Sequence, residues 1–194
     1  SRYYYAYYTA NPYKVTLNKN GGSGGNDALY YTYNTNTIYN NTYHTTAISQ
    51  IEIPKRTGYE FAGYYIGSTQ IVDANGNING SYFYRTAYNQ TAYAKWKFDV
   101  QFNSNAPSTI NPQKIDGWEM KDTGANAMSK QTITASENNT LSSVKYSAFG
   151  YTFAGWSLMP GDNQTISYTN NGQINENPTP DVGKTITLYA QWKK

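Results

Sequence analysis

The chain has 194 residues, room for one large or two small domains, and is dominated by 22 tyrosines, 23 asparagines and 23 threonines. Its net charge is +3, with lysines and arginines standing mostly alone, which argues against a nucleic-acid partner. Cysteine is absent, which excludes disulfides and cysteine-held zinc, and no apolar run approaches the ~20 residues of a membrane span.

Tyrosine and threonine favour pleated, half-buried surfaces, whereas asparagine and glycine favour turns, so the chain is predicted to be mostly β. Leucine, isoleucine and valine are few, so the core must come largely from aromatic rings, each burying roughly 150–250 Å². The opening SRYYYAYYTANPYK predicts a tyrosine-rich strand of Tyr3, Tyr4, Tyr5, Tyr7 and Tyr8, closed by a turn or linker at Asn11-Pro12. Val15-Thr16-Leu17-Asn18 then reads as a strand running into the glycine turn Gly21-Gly22-Ser23-Gly24-Gly25. That turn spells G-x-S-x-G, but a turn leading into the strand at Tyr30-Tyr31 follows it, where a nucleophile elbow needs a helix. Tyr30, Tyr31, Tyr33, Tyr39 and Tyr43 crowd the next stretch. Some of them exceed what a small core can hold and form a candidate contact surface; packing along a sheet edge would also account for them.

His44, the single histidine, falls in a polar loop and cannot alone supply a zinc site. Asp73-Ala74-Asn75-Gly76-Asn77 resembles a calcium loop faintly, but Ile78 and Tyr84 occupy the positions where glycine and glutamate belong. Asn75-Gly76 reads better as a hairpin turn. Glu52, Glu60, Asp116 and Glu119 form no paired acid–base site. Five N-x-[ST] sequons, at Asn40, Asn79, Asn89, Asn138 and Asn163, matter only in a host that glycosylates them. No cofactor or metal is expected.

The chain repeats itself. Val15-Thr16-Leu17-Asn18 answers Val100-Gln101-Phe102-Asn103. GYEFAGY from Gly58 answers GYTFAGW from Gly150, and TAYAKWK from Thr91 answers TLYAQWK from Thr187. The offsets grow, 85, 92 and then 96, which predicts extra loop residues in the second copy, including an insertion around Gly117-Trp118-Glu119-Met120. Alternation places Leu188, Ala190 and Trp192 on one strand face. Tyr59, Phe61, Trp96, Tyr151, Phe153, Trp156 and Trp192 are the expected core.

An opening V-T-L-N-K-N-G-G, a middle G-Y-x-F-A-G-[YW] and a closing T-L-Y-A-x-W resemble the Listeria–Bacteroides repeat, the internalin B-repeat family, over nearly the whole chain. The second copy departs from the pattern where Asn103-Ser104-Asn105-Ala106-Pro107 replaces the glycine turn. The resemblance implies small β-grasp-like modules in tandem, and two are predicted, residues 13–97 and 98–194, joined near Trp96–Asp99 with one short helix each. It implies a location outside the cell, on a bacterial surface or secreted, and a role as stalk, spacer or adhesive element with no catalytic residues.

Tyr5-Ala6-Tyr7-Tyr8 is similar to the closing block Tyr93-Ala94-Lys95-Trp96, so residues 1–12 read as the tail strand of a preceding module. That strand either pairs within this chain or adds to the sheet edge of a neighbour, where head-to-tail repetition would build a filament. The expected partners are further copies of this chain, or host or neighbour-cell surface proteins or glycans, without membrane insertion. The alternative is a carbohydrate- or protein-binding accessory module of a larger secreted protein.

Overall fold

The longest element runs fourteen residues, Gln90–Asn103, and alternates strictly: Ala92, Ala94, Trp96, Phe98, Val100 and Phe102 point inward and are buried. Period-two burial over that length is what a strand with one wet face requires. The structure, a computed structural model, describes residues 2–6, 11–108 and 128–194. Its strands are β1 (Tyr13–Asn18), β2 (Ala28–Tyr31), β3 (Ile38–Tyr39), β4 (Ala47–Ile48), β5 (Glu60–Ile66), β6 (Thr69–Val72), β7 (Gln90–Asn103), β8 (Gln131–Thr134), β9 (Thr152–Ser157) and β10 (Thr185–Lys193). They pair in a mixed sheet. The expected short helix per module is not found: among the described residues the only helical element is a 3-10 turn at Gly80–Phe83. None is long and apolar enough to cross a membrane.

The chain divides into two compact units, Ser1–Arg56 with Phe61–Trp96, and Thr57–Glu60 with Lys97–Lys194. In the first unit β1 runs antiparallel to β2 and parallel to the start of β7, with Val15 opposite Leu29 and Gln90. β3 and β4 continue from β2, while β5 pairs β7 and β6. Val15, Leu29, Tyr31, Tyr64, Ile71, Phe83 and Trp96 fill the core. In the second unit the later part of β7 runs antiparallel to β8 and parallel to β10, with Val100 opposite Gln131 and Ile186. β9 lies antiparallel to β10, Trp156 opposite Ala190. Phe98, Val100, Ile133, Leu141, Trp156 and Leu188 form this core, joined by Tyr59 and Tyr146.

The second unit repeats the ladder of the first residue for residue where the sequence blocks match. Val15–Gln90 becomes Val100–Ile186. A ring trio recurs as well. Phe61 meets Tyr64 and Trp96 at 5.3 and 5.6 Å, and Phe153 meets Trp156 and Trp192 at 4.9 and 5.7 Å. The Trp96 indole N–H donates to the Lys19 carbonyl at 3.0 Å, and that of Trp192 to the Ser104 carbonyl at 3.0 Å. Asn20, with φ +47°, donates to the Ala94 carbonyl, and Asn105, with φ +42°, to that of Ala190.

The block offsets of 85, 92 and 96 recur in the structure, with one larger step between the first two. The offset is 85 from Val15 to Val100, jumps to 102 from Leu29 to Gln131, and falls to 92 from Tyr64 to Trp156. The second copy is therefore longer in its first connection, residues 104–130, and shorter before β9. The expected insertion at Gly117–Met120 lies outside the described residues. A further step to 96, from Val72 to Tyr168, places four extra residues in the turn after β9.

Three core expectations change. Tyr59, Phe61, Trp96 and Trp156 are buried, but Tyr151, Phe153 and Trp192 are half-buried. A bulge between Gln191 and Trp192 breaks the period of β10, so Gln191 takes the buried place and Trp192 leaves the shared face of Leu188 and Ala190. The expected strand at the start of the chain is not formed within it: Tyr3, Tyr4 and Tyr5 lie in no strand and are 80, 89 and 82% exposed. Tyr7 and Tyr8 lie outside the described residues.

Candidate functional site

The predicted tyrosine surface of the first unit separates into three environments. Tyr31 does not belong to it. It is fully buried, its hydroxyl donates to the Tyr88 carbonyl at 2.6 Å, and its ring packs on Phe83 at 4.7 Å. Burial raises its phenol pKa. Tyr30 and Tyr39 face each other across β2 and β3 and are half-buried, and Tyr39 stacks on the His44 ring at 4.4 Å. Tyr33 and Tyr43 are exposed, the latter at the tip of a loop whose Asn41 side chain accepts the amides of Tyr43 and Thr45. Sequence reasoning missed Tyr84, Tyr88 and Tyr93, which are also exposed. Alternation was the signal for Tyr93, an outward position of β7; Tyr84 and Tyr88 lie outside any strand.

The second unit carries an open groove of about 600 Å³ that no sequence feature announced. One wall is β10 from Thr185 to Tyr189. The other follows the chain as it leaves β9 through Ser157, Leu158 and Met159 and returns at Gln164, Thr165 and Ser167. Thr179 and Val182 close one side. No charged side chain lines it.

Three local causes produce this groove. First, β9 ends at Ser157 opposite Tyr189, so Thr185–Leu188 are ladder-paired on the β7 side alone. Second, the longer turn after β9 is pinned back. Asn105 exchanges two hydrogen bonds with Gly161, each 2.9 Å. The buried Gln191 donates to the Gly161 carbonyl at 3.0 Å and accepts the Gln164 amide at 2.9 Å. Third, a core ring is missing. At offset 96, Thr179 stands where the first unit has Phe83, fully buried between Tyr31 and Tyr82. The first unit covers the start of its closing strand with these rings, the Tyr82 hydroxyl reaching Gln90 at 3.1 Å. The second leaves that place open.

The arrangement suits uncharged ligands held by main-chain and hydroxyl hydrogen bonds, each worth about 0.5–1.5 kcal/mol net. The motifs with nominal catalytic or metal character lie elsewhere. Ser23 of the G-x-S-x-G string bridges to Lys55 inside a turn, with no helix after it. Asp73 spends its carboxylate on the amides of Asn75 and Asn77, at 2.9 Å each, and on the Asn77 side chain. These hydrogen bonds, that of the Asn77 side chain foremost, lower its pKa. Glu60 reaches Lys97 at 3.7 Å. Asp116 and Glu119 lie outside the described residues. Among the described residues no group of three His, Cys, Asp or Glu side chains could hold a metal. Comparison with family models, curated proteins and solved structures gives no match.

Proposed function

We propose that the chain is a non-enzymatic, extracellular structural and adhesive repeat protein of a bacterial cell surface, built from two tandem β-grasp-like modules of the internalin B-repeat kind. One observation carries the reading: the closing tryptophan of each copy, Trp96 and Trp192, donates its indole N–H to the residue directly after the opening strand's final asparagine, at 3.0 Å in both. A duplicated framework held by matching bonds is a unit meant to be strung in series. Exposed Tyr33, Tyr43, Tyr84, Tyr88 and Tyr93 supply rings with polar tips, which suit contact with proteins and glycans. Tyr3–Tyr5 supply an exposed apolar segment for head-to-tail association. Deleting residues 1–10 and measuring particle size tests the assembly part: a smaller species is expected, and an unchanged size rejects it. Electron microscopy of the native material separates filaments from isolated stalks.

A second reading, a carbohydrate- or protein-binding accessory module, is favoured by the uncharged, hydroxyl-lined groove of the second unit. Saturable glycan binding by a chain that stays monomeric would replace the first reading with this one.

A further inference from the structure

We propose that the groove of the second unit is an acceptor slot for the segment Arg2–Ala6 of a second copy of this chain. The inference deepens the assembly reading and rests on it. The slot lacks what its counterpart contains. In the first unit Phe83 is buried against Tyr31 at 4.7 Å and Tyr82 at 4.9 Å, and these rings cover the start of the closing strand. In the second unit Thr179 replaces Phe83, and the corresponding start of β10 opens into about 600 Å³. An aromatic side chain is therefore the chemistry that completes the site. The β10 wall presents the Thr185–Leu188 backbone with its β9-side edge unpaired, which calls for an extended segment. The rim is apolar, with Met159 61% and Val182 82% exposed.

Arg2–Ala6 fits each requirement. It lies in no strand, and Tyr3, Tyr4 and Tyr5 are 80–89% exposed. Its only charge is Arg2. Asp181 precedes Val182 at the rim and is exposed, with no ion-pair partner among the described residues. The slot itself is uncharged, as the aromatic part of the segment is; Asp181 beside Val182 offers Arg2 an acidic partner, and Lys184 beside Thr185 leaves the surroundings without net charge.

Sedimentation of the full chain across the micromolar range tests this. The variants are Tyr3→Ser with Tyr4→Ser and Tyr5→Ser, and separately Val182→Arg. All four side chains are at least 80% exposed, and circular dichroism verifies that folding is kept. The wild-type mass is expected to rise with concentration, and each variant to stay at monomer mass. A mixture of the two is expected to form one-to-one dimers, because one retains the slot and the other the segment. If the wild type associates and Val182→Arg associates equally, the slot is wrong while the assembly reading stands. If both variants are monomeric and the mixture does not pair, segment and slot are not partners. A wild type that is monomeric throughout overturns this inference and the assembly reading together.

Discussion

Tyr64 and Trp156 occupy the same place in the two copies, both fully buried, and in both the polar atom has no hydrogen-bond partner: the hydroxyl of one, the indole N–H of the other. An orphaned buried donor costs about 1–3 kcal/mol, so this position is chosen for ring volume against Phe61 and Phe153 despite its polar atom. Tyr64→Phe keeps the ring and removes the orphan; denaturant unfolding should show stability unchanged or higher by about 1 kcal/mol. Burial also pushes the Tyr64 phenol up to about 12, from 10.0. The folded state therefore holds this proton more tightly than the unfolded chain. The associated stability is intact below pH 10 and is lost as pH rises from 10 toward 12. Alkaline unfolding of Tyr64→Phe should be shallower over that window; identical curves would refute this role. Trp96 and Trp192 supply a contrast. Trp96 is 1% exposed and Trp192 half-buried, so Trp96→Ala should cost about 3–5 kcal/mol and Trp192→Ala clearly less, as read by the same unfolding curves.

At the scale of elements, the hairpin after the G-Y-x-F-A-G block depends on its second glycine. Gly63 has φ +111° and Gly155 +139°. A Cβ at Gly63 would press on the Val72 carbonyl, and one at Gly155 would meet Ile166 at 2.6 Å and the Tyr168 carbonyl at 2.9 Å. Gly63→Ala and Gly155→Ala should each lose about 1–3 kcal/mol from backbone strain, with further loss from the clash, measured by thermal unfolding. β8 is tied to β7 by Asp99, which accepts Thr132 Oγ1 at 2.7 Å and Lys130 Nζ at 2.6 Å. Burial raises its pKa, but these bonds outweigh it, and the net shift is downward from 3.8. Its contribution is present above that value and disappears on acidification, so Asp99→Asn should flatten the acid limb of the stability curve. The sequence made β1, β5, β7, β9 and β10 legible, because each carries aromatic or branched residues in alternation and each block occurs twice. It hid the bulge at Gln191, since a one-residue slip leaves composition untouched. It misplaced Tyr31, since two adjacent tyrosines, Tyr30 and Tyr31, closing the strand Ala28–Tyr31 do not say which ring faces in. The groove was illegible because it arises from an absence, the Thr179 that stands in for Phe83, and absences emerge only when two ladders are superposed.

At the scale of the molecule, 14% charged residues and a net charge of +3 leave little self-repulsion to oppose association. The proposed contact is mainly rings and backbone, with one exposed pair, Arg2 and Asp181, worth about 0–1 kcal/mol. Self-affinity should therefore weaken by less than about fivefold in molar salt; a collapse of association would assign the contact to charge instead. Thr179→Phe should fill the slot from within and end association, as sedimentation would show.

The unequal first connections of the two copies, residues 19–27 against 104–130, also mark a permissive place for protein engineering. A Cβ on Gly22 would strike the Trp96 ring, and one on Gly25 the Pro54 amide at 2.9 Å, but one on Gly24 meets nothing within 4 Å. A foreign epitope grafted at Gly24 would thus lengthen a connection that is already longer in sequence in the sister copy, and the chain would display that cargo with its tryptophan latch still closed.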